Sequence, residues 1–148
     1  MIYGSVDKYK SALGFTKTSV LKALKELGVD SVQVQYQGSG DSGEVYEVSI
    51  LPVDKNVSTT KVKIQEAKAS FIKEKDGGSS WVSEIYEDTV SLYEAINGIL
   101  YSYLEMSHPG WEINEGSQGE MTIEVEGESI SLVHTEFYTE SNQYEYEF

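Results

Sequence analysis

The chain has 148 residues, is 39% hydrophobic, contains no cysteine and carries a net charge of −14. That length and apolar content suit a single domain, residues 1–148, with a substantial core, and the missing cysteine excludes disulfides and thiolate metal sites. No run of ~18 apolar residues and no secretory leader is present, so the expectation is a soluble, cytoplasmic protein without a membrane partner.

The charge is unevenly distributed. All 11 basic residues are lysines, and the last is Lys75; from Asp76 to Glu147 carboxylates meet no lysine or arginine. An acidic half of this kind keeps a protein dispersed, and it also attracts basic surfaces. Direct nucleic-acid binding is not expected, because there is no arginine fork for base edges and no basic stripe for phosphates.

In chain order, residues 17–30 place Val20, Leu21, Leu24 and Leu27 at helical spacing, with Thr16 or Thr18 as N-cap and Gly28 as terminator. Residues 31–38 alternate Val32, Val34 and Tyr36 with three glutamines, the pattern of a half-buried strand. After the stretch GSGDSGE the alternation resumes with Tyr46, Val48 and Ile50 inward, which predicts an antiparallel hairpin. Residues 52–60 read as a loop. In residues 61–75, Val62 and Ile64 share one parity while Ala67, Ala69 and Phe71 share the other. A strand with a bulge near Gln65 and Glu66, or a short helix, reconciles them.

A returning strand over residues 81–88 leads to the strongest helix, whose apolar stripe runs from Leu92 and Tyr93 to Leu104, with Asp88 as N-cap and Gly98 as a point of close packing. Met121, Ile123 and Val125 then alternate with Glu120, Thr122, Glu124 and Glu126; Gly127 turns the chain, and Ile130 and Leu132 return. Residues 139–148 hold Tyr144, Tyr146 and Phe148 in either an edge strand or a tail. Helix, strands, helix, strands is the order of an α+β fold, an antiparallel sheet of hairpins with two main helices packed on one face.

Two loops gather candidate site residues. The first holds Asp41, Ser42 and Glu44. Its letters GDSG match the nucleophile loop of serine hydrolases, but both histidines, His108 and His134, follow Ser42, and a strand rather than a helix comes after it. The second, residues 108–119, gathers Trp111, Glu112, Asn114 and Glu115 between glycines. Oxygen ligands at Glu112, Asn114 and Glu115, joined by Asp41 or Glu44, suit Mg²⁺ or Ca²⁺, although the spacing is not that of an EF-hand. A histidine pair with a carboxylate suits Zn²⁺, but no H-x-x-x-H spacing links His108 and His134. No metal or cofactor is therefore assigned.

These loops also carry a resemblance. Gly38, Gly40, Asp41, Ser42 and Gly43, then Gly110, Trp111, Glu112, Asn114, Gly116 and Gly119, resemble an uncharacterised family of small bacterial and phage proteins with G-x-G-D-S-G and G-W-E-x-N-x-G-x-x-G loops. The resemblance implies an α+β fold and pairs the two loops; it implies no activity.

The leading expectation is a small acidic interaction or inhibitor protein rather than an enzyme. Glu120, Glu124, Glu126 and Glu128 of its acidic half would bind a protein with a basic, nucleic-acid-handling surface, as a nucleic-acid mimic does. The alternatives are a metal-assisted hydrolase or small-ligand domain built on the two loops, and a structural partner that docks through its aromatic C-terminal residues.

Overall fold

The computed structural model describes residues 6–39, 42–52, 55–73, 77–108, 116–137 and 141–147. The first helix, α1 (Val6–Glu26), begins well before the predicted start. Its buried stripe continues N-terminally through Ala12 and Thr16, two turns and one turn before Val20. Both are small or polar, so they do not stand out in a hydrophobic pattern. The predicted end holds. Gly28 takes φ +75°, and the Gly28 and Val29 amides donate to Lys25 and Leu24 carbonyls at 3.1 and 3.0 Å, closing a Schellman motif.

The strands β1 (Ser31–Ser39) and β2 (Ser42–Leu51) form the predicted hairpin. A short 3-10 turn, Lys55–Ser58, leads to β3 (Lys61–Lys73) and β4 (Ser79–Ser91), a two-stranded ribbon. Helix α2 (Leu92–Ser107) follows without a loop, and β5 (Ser117–Glu124) and β6 (Ser129–Glu136) close the order. The four-stranded sheet runs β2-β1-β5-β6, with every neighbouring pair antiparallel. Its inner face presents Val32, Val34, Met121 and Ile123, all fully buried, to Val20 and Leu24 of α1 and to the apolar stripe of α2. This is the α+β architecture expected from the element order.

Several details differ from the sequence expectation. Thr16 is not a cap. Its Oγ1 donates to the Gln65 carbonyl at 3.2 Å and accepts from the Gln65 amide at 3.0 Å, so one hydroxyl in mid-helix satisfies both backbone groups of a residue on β3. Thr18 is also inside the helix and donates to the Gly14 carbonyl. In β2, Tyr46 is not inward. The register steps from Gln35↔Glu47 to Tyr36↔Val45, so Tyr46 is the extra residue of a bulge; Val45 takes the inward parity, and Tyr46 is 53% exposed.

No bulge occurs at Gln65 and Glu66, where β3 and β4 pair without a register shift from Lys61↔Ser91 to Lys73↔Ser79. The pairing leaves no inserted residue to account for the change of apolar parity at Ala67. Asp88 lies in β4, and α2 is capped by Ser91, whose Oγ accepts the Glu94 amide at 3.1 Å. Ser91-x-x-Glu94 has the capping-box spacing. Tyr93 is exposed rather than part of the stripe. Gly98 has nothing within 4 Å of where a Cβ would stand, so it is not a point of close packing. At the β5–β6 turn the left-handed residue is Glu128 (φ 51°), one position after Gly127. Residues 141–147 form no strand and are exposed.

The Thr16–Gln65 contact is a stability determinant that sequence periodicity does not reveal. Replacing Thr16 with Val keeps the shape but strands a partly buried amide and carbonyl, so we expect a loss of ~1–3 kcal/mol in urea unfolding. Thr16→Ser should retain most of the stability. Equal loss in both variants would assign the effect to packing instead.

Candidate functional site

The register brings chemistry to one end of the four-stranded sheet. Gly43, Gly38, Ser117 and Glu136 stand side by side across the four strands. The first glycine-rich stretch is thus the β1–β2 hairpin turn, and the start of β5 lies next to it. Ser42 opens β2 and is followed by strand, which removes the strand-to-helix turn that a serine nucleophile needs. Glu44 is exposed on β2. Asp41, Trp111, Glu112, Asn114 and Glu115 lie outside the described residues, and so do the expected Mg²⁺ or Ca²⁺ ligands among them.

Two rows further along the strands, Tyr36, Gly119 and His134 are register partners across β1, β5 and β6. Tyr36 is fully buried, and its ring passes over the glycine. A Cβ at Gly119 would collide with the Tyr36 hydroxyl and with the Val133 carbonyl oxygen. The missing side chain lets the Tyr36 hydroxyl reach His134 Nδ1 at 2.5 Å, with the two rings stacked at 5.8 Å between centroids. Burial pushes the Tyr36 hydroxyl up to about 12, so it keeps its proton at neutral pH.

The side chain of His134 is only 4% exposed. Its Nε2 lies 3.4 Å from Glu136 Oε1 yet makes no hydrogen bond among the described residues. His108, the C-cap of α2, places Nδ1 3.1 Å from the same carboxylate oxygen. The two imidazoles stack at 4.1 Å and 28°. Burial, together with the neighbouring His108, lowers the pKa of His134 against the opposing pull of Glu136, which favours the neutral ring. Beside the pair opens a cleft of about 440 Å³, lined by Tyr103, Ser107, Ser131 and both histidines.

Sequence spacing missed this cluster because its members come from different elements: a helix end and a strand. The one local signal is His134-x-Glu136, two residues on one face of a strand.

The second feature is the outer face of the sheet. None of its four strands contains a lysine or arginine. Gln35 stands between Glu47 on β2 and Glu120 on β5, and its Nε2 donates to Glu120 Oε2 at 3.2 Å. Thr122 donates to the other oxygen of Glu120. Glu124 and Glu126 are exposed, while Glu128 pairs with Lys25 at 3.6 Å. Tyr46, turned outward by the bulge, and Val133, 69% exposed, border a shallow depression with Gln35, Gln118 and Glu120.

The acids of β4 are set differently. Glu84 lies across from Lys68, which also pairs with Glu66 at 3.4 Å. On the ribbon a lysine thus stands in register with one acid of the second half, whereas the strands of the sheet carry carboxylates and no cation.

Fold and site together define an α+β protein with an open, cation-free sheet face and a histidine–carboxylate cluster at one end of that sheet. The chain belongs to the family of unknown function DUF6878, which matches residues 13–148. No curated protein and no solved structure matches it.

Gly119→Ala tests the crossing of the tyrosine. The added methyl must displace the Tyr36 hydroxyl or the β6 backbone, and we expect a loss of ~1–3 kcal/mol in urea unfolding. An unchanged midpoint would show that the ring does not pass over this position.

Proposed function

We propose that the protein is a binding module, an inhibitor in the manner of a nucleic-acid mimic, whose outer sheet face engages a basic surface on a nucleic-acid-handling protein. A cytoplasmic setting in a bacterium, or delivery by a phage, fits that reading. The observation that carries it is the outward turn of Tyr46. A bulge spends a residue to place an aromatic ring in water, between Glu44 and Glu47 on its own strand and on the same depression as exposed Val133 and Glu120. Aromatic anchors in a desolvated centre supply most of the energy of an interface, while surrounding carboxylates supply steering and choice of partner. The four strands of this face contain no lysine or arginine, so a lysine- or arginine-rich partner meets carboxylates that are not already paired with cations on these strands.

Of the four glutamates singled out from the sequence, Glu120 and Glu124 belong to this face. Glu126 and Glu128 extend it into the turn, with Glu128 partly neutralised by Lys25. Tyr144 and Tyr146, both about three-quarters exposed, offer a further aromatic contact.

The test compares equal charge changes at two places. Immobilised protein is loaded with bacterial lysate, and retained nucleic-acid-binding proteins are quantified at low and high salt. Glu47→Gln with Glu120→Gln should abolish salt-sensitive retention, and Tyr46→Ala should weaken it about tenfold or more. Glu84→Gln with Glu87→Gln, on β4, should leave it unchanged. Equal loss from both pairs would reduce the effect to net charge and sink the proposal.

A further inference from the structure

We propose that His108, His134 and Glu136 form a Zn²⁺ site, with Tyr36 as the group that orients His134. Three observations support this beyond the mere presence of ligands. The first is distance. Zinc bonds of ~2.0–2.1 Å in a tetrahedron require donor atoms ~3.3–3.4 Å apart. His108 Nδ1 and His134 Nε2 lie 3.1 and 3.4 Å from the same Glu136 oxygen, and one ligand atom from each of the three residues falls within 4.8 Å of the others. His108 and Glu136 are the more exposed members, and for both imidazole lone pairs to converge on one ion His108 turns out of its 28° stack on His134 while Glu136 closes the third side.

The second is the state of His134 Nε2. It is buried, directed at the cluster, and without a hydrogen-bond partner among the described residues. A buried imidazole nitrogen in that condition is costly, and a cation in the cluster removes the cost.

The third is the other nitrogen of the same ring. A metal-bound histidine almost always has its second nitrogen held by an oxygen, which fixes tautomer and orientation. The Tyr36 hydroxyl does this at Nδ1, and Gly119 provides its path. The hydroxyl can accept from Nδ1–H and thereby leave the Nε2 lone pair for the metal.

Two imidazole nitrogens and one carboxylate suit zinc better than Mg²⁺ or Ca²⁺, which prefer all-oxygen sets. Three protein ligands leave a fourth position for water, the arrangement of catalytic rather than closed structural zinc sites. The cleft bordered by Tyr103, Ser107 and Ser131 adjoins the cluster and can admit that water. This site is separate from the acidic outer face: on β6, His134 and Glu136 share the parity of Ile130 and Leu132, which pack on the core, and not that of Val133.

The experiment uses the full chain, freed of metal by chelator and titrated calorimetrically with Zn²⁺ in excess Mg²⁺ and Ca²⁺. We expect one Zn²⁺ per chain, a higher thermal unfolding midpoint, and, with Co²⁺ substituted, the intense visible absorption of a low-coordinate site. His108→Asn and Glu136→Gln change side chains that are not buried, so the fold should persist, checked by circular dichroism. Each should abolish the stoichiometric site. Tyr36→Phe should retain the site and weaken it by about tenfold or more. Absence of saturable Zn²⁺ binding would overturn the proposal. So would binding that Mg²⁺ or Ca²⁺ displaces, or binding unchanged in both ligand variants, since either places the metal on the acidic surface.

Discussion

The register between β1 and β5 is the constraint on which the rest of the molecule depends. Val32 pairs with Ile123, Val34 with Met121 and Tyr36 with Gly119. These strands lie far apart in the chain, and their pairing joins the N-terminal hairpin to the C-terminal one. A slip of one residue would turn every side chain on β5 to the other face. Glu120, Thr122 and Glu124 would then meet the helices, and Met121 and Ile123 would meet water. The same pairing puts a glycine under the Tyr36 ring, and only there can the hydroxyl cross a strand to reach His134. Core, acidic face and histidine cluster are thus set by one alignment.

What could be read in the sequence divides along the same line. Local periodicity and local punctuation are legible. The alternation of β1 and β5, the hairpin at Gly38–Gly43, the apolar stripe of α2 and the Gly28 terminator all follow from neighbours in the chain. What was not legible is decided by partners elsewhere. Residues 6–16 are helical because Ala12 and Thr16 are buried and Thr16 closes on Gln65, which no hydropathy pattern announces. Tyr46 turns outward because a bulge shifts the register, although its alternation with Val48 and Ile50 looks inward. The cap moved from Asp88 to Ser91 because β4 keeps pairing with β3 as far as Lys61↔Ser91.

The candidate site shows the same limit more sharply. The glycine-rich stretches were legible as turns, and the first one is. The histidines were not legible as a pair, because the separation between His108 and His134 has no meaning until α2 and β6 are placed side by side. The acidic half was legible as composition but not as a surface. On the β3–β4 ribbon, Lys68 stands opposite Glu84 and the charge is partly answered. On the four-stranded sheet nothing cationic stands opposite Glu47, Glu120 or Glu124. Glutamines separate the carboxylates instead, and Gln35 takes up one of them by hydrogen bond. Amide spacers limit like-charge repulsion between neighbouring strands without neutralising the face.

The bulge at Tyr46 also bears on how a partner can approach. β2 and β6 are the outer strands of the sheet, and an unprotected outer strand invites another chain to add to it. A bulge breaks the regular ladder and increases local twist, while Glu44 and Glu47 place charge along the same strand. Both features oppose strand addition at β2. Yet the extra residue that spoils this edge is an aromatic one, and it is turned toward the face rather than left as a small or charged residue. Blocking an edge requires only the insertion. Placing tyrosine at the inserted position adds apolar surface that water does not favour, a cost that edge protection alone does not explain. For the binding role proposed above, the arrangement favours a partner that lies across the face, over Tyr46, Gln35, Glu120 and Val133, instead of one that extends the sheet.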